Sequence, residues 1–520
     1  MILISILDIY TVKKMIIISL DGVNWEMVQP TLDKGKLPSL SKLISKGTSS
    51  IFQTHSFISS GSTWPCIHTG RHPGHHGIFF SHRQFKSGTY NIVKKAAEDI
   101  PFKAFWQIVS KNGIPTIAID LPKAPLVEEF NGMVLNSWGE EAPWYSPSYP
   151  RDLKKEIHSK FGRHPLQEFY HHPMKDHASW LKIKDQHLEA LNTRFKVANY
   201  LMQKQDDWGL FIMAVNELHL AGHLFWHLID ESHPEHDPEL RKKLGNIIEE
   251  LLIIADQKIG DLVNKHPEVP FLILSNNGMT RSGQPVNVMD VILKKMGYMK
   301  GIIPDPNKVS RRSHNFIYEA ERYLPLGLIS FIKEYLPKKW WYRVTRKLMH
   351  SSKDWKPSQA FPIPNDVSGA IRINLKGREP EGKVDPSEYD QLCEDIKKDF
   401  LAITINEKGI PAVKKVIKIK DSFAGAKTDE LADLLIIWNK EEPIISIQGD
   451  KIGSINVKYD KRSGSHTDKG IFIFSELIEG GNRPDIIHDL SIYPTVLDYF
   501  GIKETEVNSK SLLSNSTLTI

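Results

Sequence analysis

A continuous apolar run that stops at a polar residue recurs along this 520-residue chain. "KKMIIISLDG" ends in Asp21, "IPTIAIDLP" in Asp120, "WGLFIMAVNELH" in Asn216 and Glu217, "VPFLILSNNG" in Asn276 and Asn277, and "ADLLIIWN" in Asn439. Runs without polar alternation mark strands covered on both faces, as in a parallel sheet. Between them lie amphipathic helical stretches such as "PSLSKLISKG" and "LGNIIEELLIIADQKIGDLVNKH". This alternation predicts an α/β fold, a doubly wound, mostly parallel central sheet with helices on both faces. In such sheets ligands bind beyond the carboxyl ends of the strands, where these polar residues gather.

Composition removes several classes. A net charge of +5 is small for this length, and the lysines are dispersed without interleaved aromatics, so nucleic acid is not an expected partner. Two cysteines, Cys66 and Cys393, allow no disulfide framework and suggest no Cys-based zinc site. No segment reaches the roughly 18 apolar residues of a membrane span. The opening "MILISILDIYTVKK" lacks a positive leader and a small-residue cleavage site and carries Asp8. It reads as an N-terminal extension over 1–14, with Met15 a natural beginning, and the expected compartment is cytoplasmic. The main domain is expected over 15–505. Within it, 79–200 would be a cap or substrate-binding insertion, and 300–364 a basic, Trp-rich helical insertion: a lid, an oligomer contact or a membrane-surface patch. A frayed tail would follow over 506–520.

Candidate chemistry sits at the run ends. Asp21 suits a metal-binding carboxylate, or a helix N-cap. In "VNELHLAGHLFWH", His219 and His223 are four apart, so on a helix they share a face and can grip one ion; two core histidines would look the same. The zinc-protease pattern H-E-x-x-H is excluded, because Leu220 follows the first His. In "RSGSHTDKGIFIFS", His466 occupies a Gly/Ser loop before a strand; a third imidazole there would leave an open coordination position, the form of a catalytic zinc site. "SSGSTWPCIHTGRHPGHHGI" places hydroxyls just ahead of a helix start, where free N–H groups and the helix dipole attract phosphate.

Taken together, Asp21 at the first strand end, the hydroxyl-rich helix start with its Thr-Gly and His-Gly-Ile, "HLAGH" and "GSHTDKGIF" resemble the alkaline phosphatase superfamily. Within it the chain is most similar to the type I phosphodiesterase/nucleotide pyrophosphatase branch, as "IRINLKGREPEGKVDPSEYDQLCEDI", "ADLLIIW" and "IHDLSIYPTVLDYFGI" also suggest. The resemblance spans about Met15 to Ile502. It implies a metal-dependent hydrolase of phosphate esters with a Ser/Thr nucleophile. Members place that nucleophile ten residues before the Gly of Thr-Gly, which from Gly70 is Ser60; Trp64 and Pro65 also fall where related phosphohydrolases have Trp-Pro. Thr63 is the second candidate and Ser62 the third.

The resemblance also implies two adjacent metal sites, and here the pattern departs. The first would use His219, His223 and His466, with His219 where the branch has Asp and Glu217 close enough to contribute. The second would use Asp21, the nucleophile, and Asn276 and Asn277 where the branch has Asp-His. One tightly bound Zn2+ is therefore expected, with a second site weak and suited to Mn2+ or Mg2+ if occupied. The expected partner is a small phosphorylated substrate. A pseudoenzyme that binds a phosphorylated ligand, and a phosphotransferase, are the alternatives.

Overall fold

The computed structural model describes residues 13–79, 83–95, 99–125, 127–139, 147–166, 177–302, 354–363, 365–457, 462–478, 484–503 and 507–513. Its centre is an eight-stranded sheet. From one edge to the other the strands are Ile486–His488, Thr48–Gln53, Lys469–Phe474, Phe271–Leu274, Met15–Leu20, Leu210–Val215, Thr116–Ile119 and Gly132–Leu135. All neighbours pair in parallel except Lys469–Phe474, which is antiparallel to both of its partners. The α/β sheet expected from the strand-like runs is the observed one.

Met15–Leu20 is buried along its whole length because both of its faces are covered. Ile16, Ile18 and Leu20 face one core with helices Pro38–Lys46, His177–Lys204, Glu217–Ile229 and Ile247–Lys265. Met15 and Ile17 face another, built on helices Ser60–Thr69, Phe105–Lys111 and Ile492–Tyr499. Period-two alternation thus feeds two apolar layers, which is why no polar residue interrupts the run.

Four expectations change. "ADLLIIWN" was expected beside the other parallel strands, but Leu434–Trp438 lies in a separate four-stranded antiparallel sheet with Ala360–Ile363, Gly369–Ile373 and Val413–Lys418. Apolarity encodes burial on both faces, not the direction of pairing. Segment 79–200 is not simply a cap, since it supplies the two strands at one edge of the main sheet, Thr116–Ile119 and Gly132–Leu135; the hairpin Arg83–Lys86/Asn91–Lys94 stands outside that sheet. His466 lies not in a loop but in strand Gly464–Thr467, paired with Gly278–Arg281 so that His466 opposes Met279. Of the expected helical insertion, 303–353 and residue 364 lie outside the described residues, and Ala360–Ile363 is a strand. Residues 1–12, 504–506 and 514–520, which include most of the expected extension and tail, also lie outside them.

Candidate functional site

The strand ends are drawn together by main-chain geometry. Asp21 follows the first strand, and Gly22 turns the chain with φ +75°, a conformation that favours glycine. A Cβ on Gly22 would lie 2.7 Å from Cα of His219, so the turn rests directly on helix Glu217–Ile229. The next strand end is tied in by Ser275, whose Oγ accepts from Val23 N–H at 3.0 Å. On the far side the helix meets the His466 ribbon. A Cβ on Gly464 would fall 2.1 Å from the carbonyl oxygen of Gly222, and Ser463 N–H donates to His223 O at 2.8 Å.

This packing gathers His219, His223 and His466, each with a ring nitrogen lying within 4.8 Å of the others'. Their ring centroids are 4.6, 4.9 and 4.6 Å apart. Nδ1 of His223 is 2.8 Å from Gly464 O, which fixes that nitrogen as the donor and leaves Nε2 with a lone pair. Nε2 of His219 and Nδ1 of His466 are buried and have no hydrogen-bond partner. Burial lowers the pKa of His219 to about 3, with Arg462 and Lys123 adding to the effect. Burial likewise holds His223 and His466 well below the usual imidazole range. Neutral, convergent and unpartnered nitrogens are the donor set a zinc-class ion requires.

Asp21 is buried; its carboxylate accepts from the Ser19 hydroxyl and, at 3.2 Å, from Trp64 Nε1. Burial raises its pKa to about 7, although both donors oppose the rise. It caps no helix, since the following helix Trp25–Asp33 has Asn24 at its N-cap.

Helix Ser60–Thr69 begins beside these residues. Ser59 caps it, its Oγ accepting from Gly61 N–H at 3.1 Å. Ser60 Oγ donates to one oxygen of Asp366, and Ser59 Oγ donates to the other at 2.8 Å. Ser62 is turned inward, donating to carbonyls of His55 and Ser59. Thr63 Oγ1 is buried and has no partner. Thus Ser60 is accessible and paired with a carboxylate, whereas Thr63 is enclosed.

Asn276 Oδ1 and both amide atoms of Asn277 are buried without partners, as are both amide atoms of Asn216. Buried polar groups are nearly always satisfied, so amides left open at a strand edge mark a place for a polar ligand or ion. Glu217 does not join the imidazoles. Its carboxylate accepts from Arg194 Nε at 2.8 Å and contacts His164 Nε2 at 2.8 Å, while Arg194 also donates to Asp120 at 2.9 Å. Burial would raise the Glu217 pKa, but Arg194 and His164 outweigh it and lower the value to about 2. The carboxylate serves this ion-pair network.

Asp366, Lys440 and Arg462 escaped the sequence reading. Asp366 and Arg462 act electrostatically on His219. Lys440 donates to His466 O, and burial lowers its pKa to about 8. No local motif marks any of them; Asp366 lies 306 residues from Ser60. Within the expected insertion over 79–200, residues 140–146 and 167–176 lie outside the described residues, while Trp138 is buried against His164 with ring centroids 4.8 Å apart.

The fold is that of the alkaline phosphatase superfamily. The chain belongs to the type I phosphodiesterase/nucleotide pyrophosphatase family, whose model matches residues 15–446. Phosphonoacetate hydrolase from Sinorhizobium meliloti 1021, solved in complex with phosphonoacetate, is similar over 95% of this chain and 96% of its own, at 12% identity and TM-score 0.50. Murine ectonucleotide pyrophosphatase/phosphodiesterase 5, solved with AMP, is similar over 96% and 97%, at 11% identity and TM-score 0.47. Comparison with curated proteins gives no match. Family membership supports a phosphate-ester hydrolase. Among the described residues no helix is long and apolar enough to cross a membrane.

Proposed function

We propose that the protein is a phosphodiesterase or nucleotide pyrophosphatase-type hydrolase with Ser60 as nucleophile and one tightly held zinc ion on His219, His223 and His466. The observation that carries this reading is the trio of neutral imidazoles with ring nitrogens within 4.8 Å of one another, His223 and His466 buried and His219 partly exposed with a buried Nε2. Zinc bound there would supply positive charge opposite the charge that gathers on the leaving oxygen. The chain's own groups do the rest. Arg462 and Lys440 favour an anionic substrate at the cluster, and the helix that begins at Ser60 presents its positive end. Ser60 Oγ bonds to phosphorus, its proton passes to Asp366, and the ester P–O bond breaks. The broken bond's electron pair leaves on the alkoxide oxygen. Water then cleaves the phosphoryl–Ser60 bond, its oxygen staying on phosphorus and its released proton neutralising the alkoxide, while Asp366 returns its own proton to Oγ.

The open amides of Asn276 and Asn277 support a second site that is weak, because neutral oxygens replace a carboxylate and an imidazole. The same amides favour a second reading, a protein that binds a phosphorylated ligand without turnover. Hydrolysis of an aryl phosphodiester with added Zn2+, Mn2+ or Mg2+ separates the two. Activity lost in Ser60→Ala supports the enzyme; a fully loaded imidazole cluster with no turnover supports the binder.

A further inference from the structure

The sequence offered no cysteine-based metal motif, yet the fold brings Cys66 to two other ligand-type side chains. We infer that His55, Cys66 and Asp489 form a further metal site, separate from both sites described above, structural in role and suited to a zinc-class ion. Donor atoms of the three lie within 4.8 Å of one another. Around a tetrahedral zinc, with bonds of about 2.0–2.3 Å, donors stand about 3.3–3.6 Å apart, so side-chain adjustments of about 1 Å complete the cage. An imidazole, a thiolate and a carboxylate make a mixed set of borderline softness, which selects zinc-like ions over magnesium or calcium.

The surroundings hold these donors in place. Asp489 Oδ2 accepts from the main-chain N–H of His55 at 2.9 Å, and its oxygens lie 2.8 and 2.9 Å from His55 Nδ1. Behind the sulfur stands His76. Its Nδ1 accepts from Ile78 N–H at 3.0 Å, so in the neutral ring the proton sits on Nε2, 3.3 Å from Cys66 Sγ. An N–H donated to sulfur is the outer contact a metal-bound thiolate uses. Cys66 and Asp489 are buried, while the His55 side chain is 14% exposed and gives the ion a way in.

The three donors come from the turn after strand Thr48–Gln53, the middle of helix Ser60–Thr69, and the turn before helix Ile492–Tyr499. The His55 turn is also bound to the chain beside His466: Thr54 N–H donates to Asp468 O at 2.8 Å and Ser56 Oγ to Thr467 O at 2.7 Å. An ion here fastens the helix that carries Ser60 to the segment that carries His466. The inference holds whether or not the protein hydrolyses anything.

Cobalt spectroscopy on the metal-free, reduced full-length chain tests it. The three-imidazole cluster contains no sulfur, so a thiolate-to-cobalt charge-transfer band in the near ultraviolet reports only on cysteine ligation. We expect that band in the unaltered protein, in Cys393→Ser and in His219→Ala, and its loss in Cys66→Ser and Asp489→Asn. Absence of the band from the unaltered protein, or its loss in Cys393→Ser, overturns the inference even if the Cys66 variant fails to fold.

Discussion

Trp64 donates its indole N–H to the buried carboxylate of Asp21 at 3.2 Å, joining the Ser60 helix to the end of the first strand. Burial brings Asp21 to about 7, and the indole is one of two donors holding it down. Trp64→Phe removes that donor, so the Asp21 pKa rises further and the carboxylate is lost at a higher pH. The acid limb of kcat/KM against pH should move to higher pH. An unmoved limb would show that Asp21 does not set it.

Ser60 and Thr63 make a direct comparison. Ser60→Ala should lower kcat by at least about a thousandfold, and Asp366→Asn by about a hundredfold, the scale of a positioned general base. Thr63→Val should leave turnover nearly intact, since the Thr63 hydroxyl has no partner to lose. Inactivation by Thr63→Val with Ser60→Ala active would put the nucleophile three residues later.

The asparagine pair predicts a count. His219→Ala should reduce bound zinc by one ion per chain, and Asn276→Asp with Asn277→His should add one and speed hydrolysis, because an activated alkoxide replaces a neutral hydroxyl. Elemental analysis of the three proteins decides it. An extra ion without faster turnover would favour the binding-protein reading.

Acid should weaken the Glu217–Arg194 network. The Glu217 pKa is lowered from 4.5 to about 2, so its stabilising contribution is present above pH 4.5 and is lost as the pH falls toward 2. At 1.36 kcal/mol per unit the contribution is on the order of 3 kcal/mol. Urea midpoints of the unaltered protein and Glu217→Gln, well separated at pH 6, should converge near pH 2. A constant separation would assign the stability elsewhere.

Gly22→Ala should be disruptive for two reasons, a positive φ and a Cβ 2.7 Å from Cα of His219. Its helix must shift, so the variant should lose zinc affinity along with thermal stability. Tight zinc binding in a destabilised Gly22→Ala would show that the two are not coupled.

Much of the fold was written locally. The burial of Met15–Leu20, Leu210–Val215 and Phe271–Leu274 follows from uninterrupted apolar runs, and polar residues at their ends mark the edge where a site forms. His219 and His223 share a helical face by spacing alone. Contacts between distant segments left no such mark. Pairing direction moved Leu434–Trp438 into its own sheet, Asp366 reached Ser60 across 306 residues, and Glu217, on the same helix as His219 and His223, turned instead to Arg194. Cys66, unremarkable in the chain, came to rest beside His55 and Asp489. Sequence determines which residues are buried and which face of an element they occupy, because periodicity is a local property of the backbone. Which polar groups then meet is decided by strand order and helix packing, where the cost of burying an unpaired charge or amide selects partners far apart in the chain.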